Sequence, residues 1–336
     1  MSTKKTQSSF MQTFGRTAGL LAAIVVVMIA FAIASKGLFL IPENLLGLLR
    51  YMSSIAIVGF GLTAVLICGE IDLSFGAVYG LSSMLMGVAW IVWGLPLWVC
   101  MALSILMAIV VGLFNAFFTT IVKIPSFIAT LGSSTIVFGF CLLVSQSKTF
   151  SPLAPPDGHT IPAGEQKFFS NLSNLPLPFG IPMQLVWAGV AALVFWYLLS
   201  KSLFGFHLKA IGGNQVAAGL AKIRVPRLKT YAFIICAIAA AVSALLDFAF
   251  VNSVQPDSGA TLLFPTFAAV VIGGASLSGG RGTVLGTLLG CLLLAILANG
   301  LAVLGTGAFL QQIFVGSVTI GAVVLDQATR GLRKSG

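Results

Sequence analysis

The chain has 336 residues, of which 58% are hydrophobic and 8% charged, with a mean hydropathy of +1.07. A soluble domain carries about 25% charged residues, so an ordinary soluble protein is excluded, and the hydrophobicity excludes intrinsic disorder. The net charge of +10, from 18 Lys and Arg against 8 Asp and Glu, fits the cytoplasmic loops of a membrane protein better than a nucleic-acid surface.

Lys4, Lys5 and Arg16 precede a first apolar run, Ala18–Ser35. Ala32-Ile33-Ala34 resembles a signal-peptidase site. The run is longer than a secretory h-region of about 7–15 residues, so it reads as an uncleaved span. The next runs are Leu48–Cys68, Phe75–Trp93, Leu97–Val122, Phe127–Val144 and Gln184–Leu199. Tyr231–Val251, Leu262–Leu277, Val284–Leu304 and Phe309–Leu325 follow. These make ten candidate helices. Helix is required because lipid offers no water to backbone groups, and continuous apolarity argues against a transmembrane β-barrel. The expected fold is an all-α, polytopic transmembrane helical bundle of about ten spans, with both termini cytoplasmic. Its parts are a cytoplasmic segment 1–17, a transmembrane domain 18–326 and a cytoplasmic tail 327–336.

Charge sets the orientation. With a cytoplasmic N-terminus and ten crossings, 14 of the 18 basic residues fall inside. Only Lys36, Arg50, Lys148 and Lys167 fall outside, as the positive-inside rule requires.

Two connections are long. The outer one, 145–182, holds Pro152, Pro155, Pro156, Pro162, Pro176, Pro178 and Pro182, a density that predicts an irregular loop. The cytoplasmic one, 200–229, carries Lys201, Lys209, Lys222, Arg224, Arg227 and Lys229. Asn214 is a good N-cap, and Pro226 restricts Val225, so a short helix is expected over 215–223. It reads either as an interfacial helix on anionic lipid or as a docking helix, with small residues Ala217, Ala218 and Gly219 allowing close approach.

Enzyme chemistry has little support. No Gly-Lys dipeptide occurs, so there is no P-loop. His159 and His207 are expected on opposite faces, which argues against metal motifs and a His-based triad. Cys68, Cys100, Cys141, Cys236 and Cys291 form no CxxC pair and read as small buried hydrophobes. No catalytic, cofactor-binding or metal-ligating residues are expected, and no cofactor.

The polar residues near the spans are few. Glu70 and Asp72 in Gly69-Glu70-Ile71-Asp72-Leu73-Ser74 could form a cation site or pair with Arg281. Their plainer role is a structural turn, in which Asp72 and Ser74 cap the next helix. Ala275-Ser276-Leu277-Ser278-Gly279-Gly280 echoes that segment, which suggests two related membrane elements. Ser276, Ser278 and Arg281 are expected in that second turn, and Gly279-Gly280-Arg281-Gly282 reads as a tight turn with helix packing. Leu262–Leu277 is interrupted by Pro265, Gly273 and Gly274, as path-lining segments often are. Asp247 is costly inside a membrane and so a functional candidate. With Gly59, Gly61, Asn115, Gly273, Gly274 and Asn299 it completes the candidates for a translocation path. Asn115 and Asn299 could equally join helices.

Several motifs then fall in a familiar order. Gly69-Glu70-Ile71-Asp72-Leu73-Ser74-Phe75-Gly76 resembles a GxIDLSxG segment. It is followed by Ile124-Pro125-Ser126-Phe127-Ile128-Ala129-Thr130-Leu131-Gly132, by Ala210-Ile211-Gly212-Gly213-Asn214 with Ala217-Ala218, and by the stretch Ala269 to Gly282. Asn299-Gly300-Leu301 and the last span also fit. Together, over about residues 15–330, they resemble the permeases of bacterial ABC sugar importers of the ribose, xylose and arabinose type. The resemblance implies an inner-membrane permease subunit, a monosaccharide cargo with a ribose-like pentose foremost, and no ATP hydrolysis in this chain. It implies a cytoplasmic ATPase, a periplasmic sugar-binding protein, a second permease subunit and membrane lipid as partners, and no nucleic acid. It makes the loop 200–229 a coupling element, with Gly213, Asn214, Ala217, Ala218 and Lys222 at the ATPase. One departure stands out. Family members commonly carry Glu-Leu-Asp-Ala where this chain has Leu263-Phe264-Pro265-Thr266. The alternative reading is an ion-coupled secondary transporter or channel, with Glu70, Asp72 and Asp247 as coupling sites.

Overall fold

The computed structural model describes residues 2–156 and 160–334; His159 lies outside the described residues. Among these the regular elements are helices, and one isolated antiparallel bridge joins Phe150 to Val254. The first half comprises α1 (Ser2–Ala34), α2 (Pro42–Ile67), α3 (Phe75–Ile91), α4 (Leu97–Thr120), α5 (Ser126–Ser145), α6 (Ala163–Asn174) and α7 (Met183–Ser200). The second comprises α8 (Leu203–Gly213), α9 (Gln215–Leu220), α10 (Val225–Val251), α11 (Ala260–Ile272), α12 (Val284–Val303) and α13 (Ala308–Lys334). α1 runs without a break through residue 17, and α13 through residue 326.

The ten apolar runs divide into two kinds. Seven are helices long and apolar enough to cross a membrane: Thr17–Ala34 of α1, then α2, α4, α5, α7, α10 and α12. Three are shorter: α3, α11 and Phe309–Gly321 of α13. At 1.5 Å per residue, α3 spans about 25 Å and α11 about 20 Å, both short of a hydrocarbon core about 30 Å thick. Each follows a stretch of non-helical backbone, 70–74 before α3 and 252–259 before α11. The second stretch lies along α3, with Val254 beside Gly87 and Gly259 against the backbone of Gly76. Such backbone is tolerated at membrane depth only where protein covers it.

α2 and α10 form the centre. α2 is buried from Met52 through Ile67, and α10 presents Ala237, Ala239, Ala240, Ala241 and Ala244 to its neighbours. Small residues let backbones approach, the main source of helix association in lipid. A Cβ on Gly61 would sit 2.8 Å from Cys236 Cα, and one on Gly112 2.8 Å from Ile234 Cα. α11 and α12 also approach closely, where Gly273 and Gly286 lie backbone to backbone and Gly290 lies against Ala269 O. The five cysteines are free and buried, as their apolar settings suggest.

The connection 145–182 corrects an expectation of irregular chain, because it contains α6. Its prolines lie at 152–162 and 176–182 and leave 163–175 free of them, so a helix can form between. Phe169 is fully buried between the Trp90 and Phe248 rings, with centroids at 5.3 and 5.0 Å. Glu165 accepts hydrogen bonds from Trp90 Nε1 at 2.8 Å and Leu97 N at 3.3 Å, and Ser173 donates to Leu246 O at 2.6 Å. α6 thereby fastens the C-terminal ends of α3 and α10 to the start of α4.

Candidate coupling and translocation site

After Ile67 the chain stops being helical, and in the stretch 70–74 the amides of Ile71 and Leu73 bond to side chains instead of backbone. Unpaired backbone groups inside a bundle would cost roughly 1–3 kcal/mol each, and α5 supplies what they need. Ile71 N donates to Ser126 Oγ and Leu73 N to Thr130 Oγ1, both at 3.0 Å. Thr130 Oγ1 also lies 3.3 Å from Ile71 O. Asp72 is buried; its Oδ1 accepts from Ser74 N at 2.8 Å and from Ser74 Oγ at 2.7 Å. Asn115 Nδ2 of α4 donates to Ser74 Oγ at 2.7 Å. Glu70 forms an ion pair with Lys229 of α10, not with Arg281. The turn role expected for Glu70, Asp72 and Ser74 therefore rests on side chains from α4, α5 and α10.

The second turn works through glycine backbone. Gly279 and Gly280 take positive φ of 83° and 77°, readily adopted only without a Cβ. Gly280 N donates to Ile67 O at 2.8 Å, and Ser276 N to Arg281 O at 3.0 Å. Gly212 at the end of α8 lies so close that a Cβ there would overlap Ile67 O. The ends of α2 and α8 and the 279–280 turn thus meet at one node. Ser278 and Arg281 are exposed beside it, and Ser276 is half-buried.

The connection 200–229 holds two helices where one was expected. Ser202 caps α8 by accepting from Gly205 N at 3.4 Å, and Asn214 caps α9 by accepting from Ala217 N at 3.0 Å. α9 ends at Leu220, three residues earlier than expected. Gly213 and Ala217 are exposed, and Lys222 turns the chain at φ 62°. Ala218 requires a correction: it is buried in this chain's own packing at 5% exposure and is no surface contact. The exposed apolar side chains are instead Leu203, Phe206, Val216 and Leu220. In sequence the last two look like part of an ordinary amphipathic turn.

The path candidates occupy packed positions. Gly59 faces Thr287, Val270 and Cys291, and Gly61 faces α10. Gly273 lies against Gly286, and Gly274 turns the chain at φ 106°. Asp247 binds Ser54 Oγ at 2.6 Å and Tyr79 OH, while Asn299 and Asn44 exchange two hydrogen bonds of 2.9 Å. The open space lies elsewhere. A cavity of about 310 Å³ sits where α3, α5 and the start of α11 meet. Gly76, Gly80, Ser134, Thr135, Phe138 and Phe264 are among its lining residues. It combines hydroxyls, aromatic faces and the first turns of two shortened helices.

The model of the family described as branched-chain amino acid transport system / permease component matches residues 44–323. The chain is 34% identical to the ribose import permease protein of Bacillus subtilis over 317 residues, covering 94% of this chain and 93% of that protein. It is 29% identical to the xylose transport system permease protein of Haemophilus influenzae, covering 93% and 96%. It is 33% identical to an autoinducer 2 import system permease protein of Klebsiella pneumoniae, covering 80% and 79%. No solved structure matches.

Proposed function

Because the chain belongs to the branched-chain amino acid transport system / permease component family, we propose that it is the membrane subunit of an ATP-driven importer for a monosaccharide, a ribose-like pentose foremost. The chain is a transporter component and not an enzyme. The observation that carries the sugar reading is similarity along nearly the whole length to a ribose import permease protein. Energy would come from a separate cytoplasmic ATPase docked on α8 and α9. The cargo would come from a periplasmic binding protein on the α6 side, and a second permease subunit would complete the pathway. The positive-inside split supports ten passes of the bacterial inner membrane with both termini in the cytoplasm.

The cavity between α3, α5 and α11 is the proposed place for the sugar. A pentose offers apolar ring faces and several hydroxyls. Phe138 and Phe264 can cover the former, and Ser134 and Thr135 can exchange hydrogen bonds with the latter. Weak, sparse polarity suits a path that must release its cargo. Thr135 is exposed on its helix, so Thr135→Trp fills the cavity without disturbing the core. It is expected to lower uptake of labelled ribose by at least about tenfold in vesicles holding the complete importer, with ATPase retention unchanged. Unlabelled pentoses should compete with the label. Normal uptake by Thr135→Trp would remove the cavity from the path, and failure of every pentose to compete would overturn the pentose assignment.

A further inference from the structure

Lys229 lies in the second turn of α10 and is almost fully buried, at 6% exposure. A buried ammonium is costly unless it is paired and hydrogen-bonded. Its Nζ meets two acceptors on two different elements. One is Glu70 Oε1, at the start of the non-helical stretch 70–74. The other is Gln215 Oε1 at 2.8 Å, on the first residue of α9. Neither acceptor is needed by its own element: α9 is capped by Asn214, and the stretch 70–74 is bound to α5 and α4 by other groups. The ammonium therefore fastens the exposed helix α9 to the non-helical stretch 70–74. Beyond Glu70 the stretch continues through Ile71 and Leu73 to Ser126 and Thr130 in the first two turns of α5. α5 also carries Ser134, Thr135 and Phe138 into the cavity.

We propose that Glu70, Lys229 and Gln215 form the transmission joint that carries displacement of α9 into the stretch 70–74 and on to α5. This deepens the importer reading and rests on it: α9 must receive a push from an ATPase for the joint to have work to transmit. A charge-assisted joint suits that duty. It is short and directional, and in a partly buried site it is screened less than a surface pair. A cavity of about 420 Å³ lies beside it, bordered by Glu70, Gln215, Lys229, Lys123 and Thr119, so the joint has room to shift. All three are positioning residues, since none touches the cavity proposed for the sugar.

The test is the ratio of sugar transported to ATP hydrolysed, measured in vesicles containing permease, ATPase and binding protein. Gln215 is exposed on α9, so Gln215→Leu removes one hydrogen bond with little threat to folding. It is expected to lower that ratio at least about fivefold while the ATPase stays bound and continues to hydrolyse ATP. Gln215→Glu keeps an acceptor facing the ammonium and should preserve the ratio. Glu70→Gln should lower it about tenfold, and the exchanged pair Glu70→Lys with Lys229→Glu should recover part of the loss. An unchanged ratio in Gln215→Leu would overturn the joint. So would equal loss in Gln215→Leu and Gln215→Glu, which would mark position 215 as an ATPase contact. Failure of the importer reading itself shows separately, because the unaltered permease would then retain no ATPase.

Discussion

Val216→Asp combined with Leu220→Asp is expected to strip the partner ATPase from the purified permease. Both side chains are among the most exposed apolar groups of α8 and α9, at 74% and 83%. Burying one such side chain is worth roughly 1.5–3 kcal/mol, and aspartate would in addition bring an unpaired charge into the contact. Even a combined loss of about 3 kcal/mol weakens an interface about a hundredfold. The bundle should survive, because neither side chain takes part in its core. Ala217→Trp should act in the same direction but less strongly. Lys222→Ala should give a smaller effect that fades at high salt, since a rim charge is screened. Retention of the ATPase on the purified permease is the readout. Full retention by the double variant would return α9 to the role of a helix lying on lipid.

Gly286→Ala is expected to abolish or severely reduce folded protein. Gly286 and Gly273 lie backbone against backbone, and a Cβ on either would overlap the other's carbonyl oxygen. Backbone cannot swing aside as a long side chain can, so α11 and α12 must separate. Overpacking of this kind costs about 1–3 kcal/mol and occasionally more, here in an interface that also includes Gly290 against Ala269 O. Monodisperse yield after detergent extraction and the melting temperature should both fall. Gly189→Ala, on α7 with open space around it, should leave both unchanged and serves as the control. A normal melting temperature in Gly286→Ala would contradict the close α11–α12 contact. The same contact bears on Gly273, whose bulky variants would lose transport through folding before any effect on a path could be read.

The helices were legible wherever apolar runs ended at sharp signals. Leu97–Val122 corresponds to Leu97–Thr120, and Phe127–Val144 to Ser126–Ser145. α2 begins six residues before the apolar run, at Pro42, because proline at the first position and Glu43 in the first turn favour a helix start. The run Leu262–Leu277 overshoots α11, since Gly273 and Gly274 are apolar in composition but turn-forming in backbone. Capping by Ser74 was expected from its place before α3, but Ser74 gives that helix no side-chain cap bond, and its N and Oγ donate to Asp72 Oδ1. The Glu70–Lys229 pair was not legible, because 159 residues separate the partners and charge counting offered Arg281 equally well. Ser126 and Thr130 were hidden within a motif that reads as the start of a helix; their hydroxyls accept from the backbone amides of Ile71 and Leu73, which lie more than 50 residues away in sequence. Ala218 looked like its neighbour Ala217, and one helical step of rotation separates surface from core.

The source of energy distinguishes this account from its main competitor most directly. In vesicles loaded with ATP, the permease together with its ATPase and binding protein should accumulate labelled ribose. That uptake should stop when ATP, the ATPase or the binding protein is omitted, and vanadate should block it. A protonophore should leave it unchanged. Accumulation by the permease alone, driven by an ion gradient and collapsed by the protonophore, would contradict the assignment of an ATP-driven importer and return Glu70, Asp72 and Asp247 to consideration as ion-coupling groups.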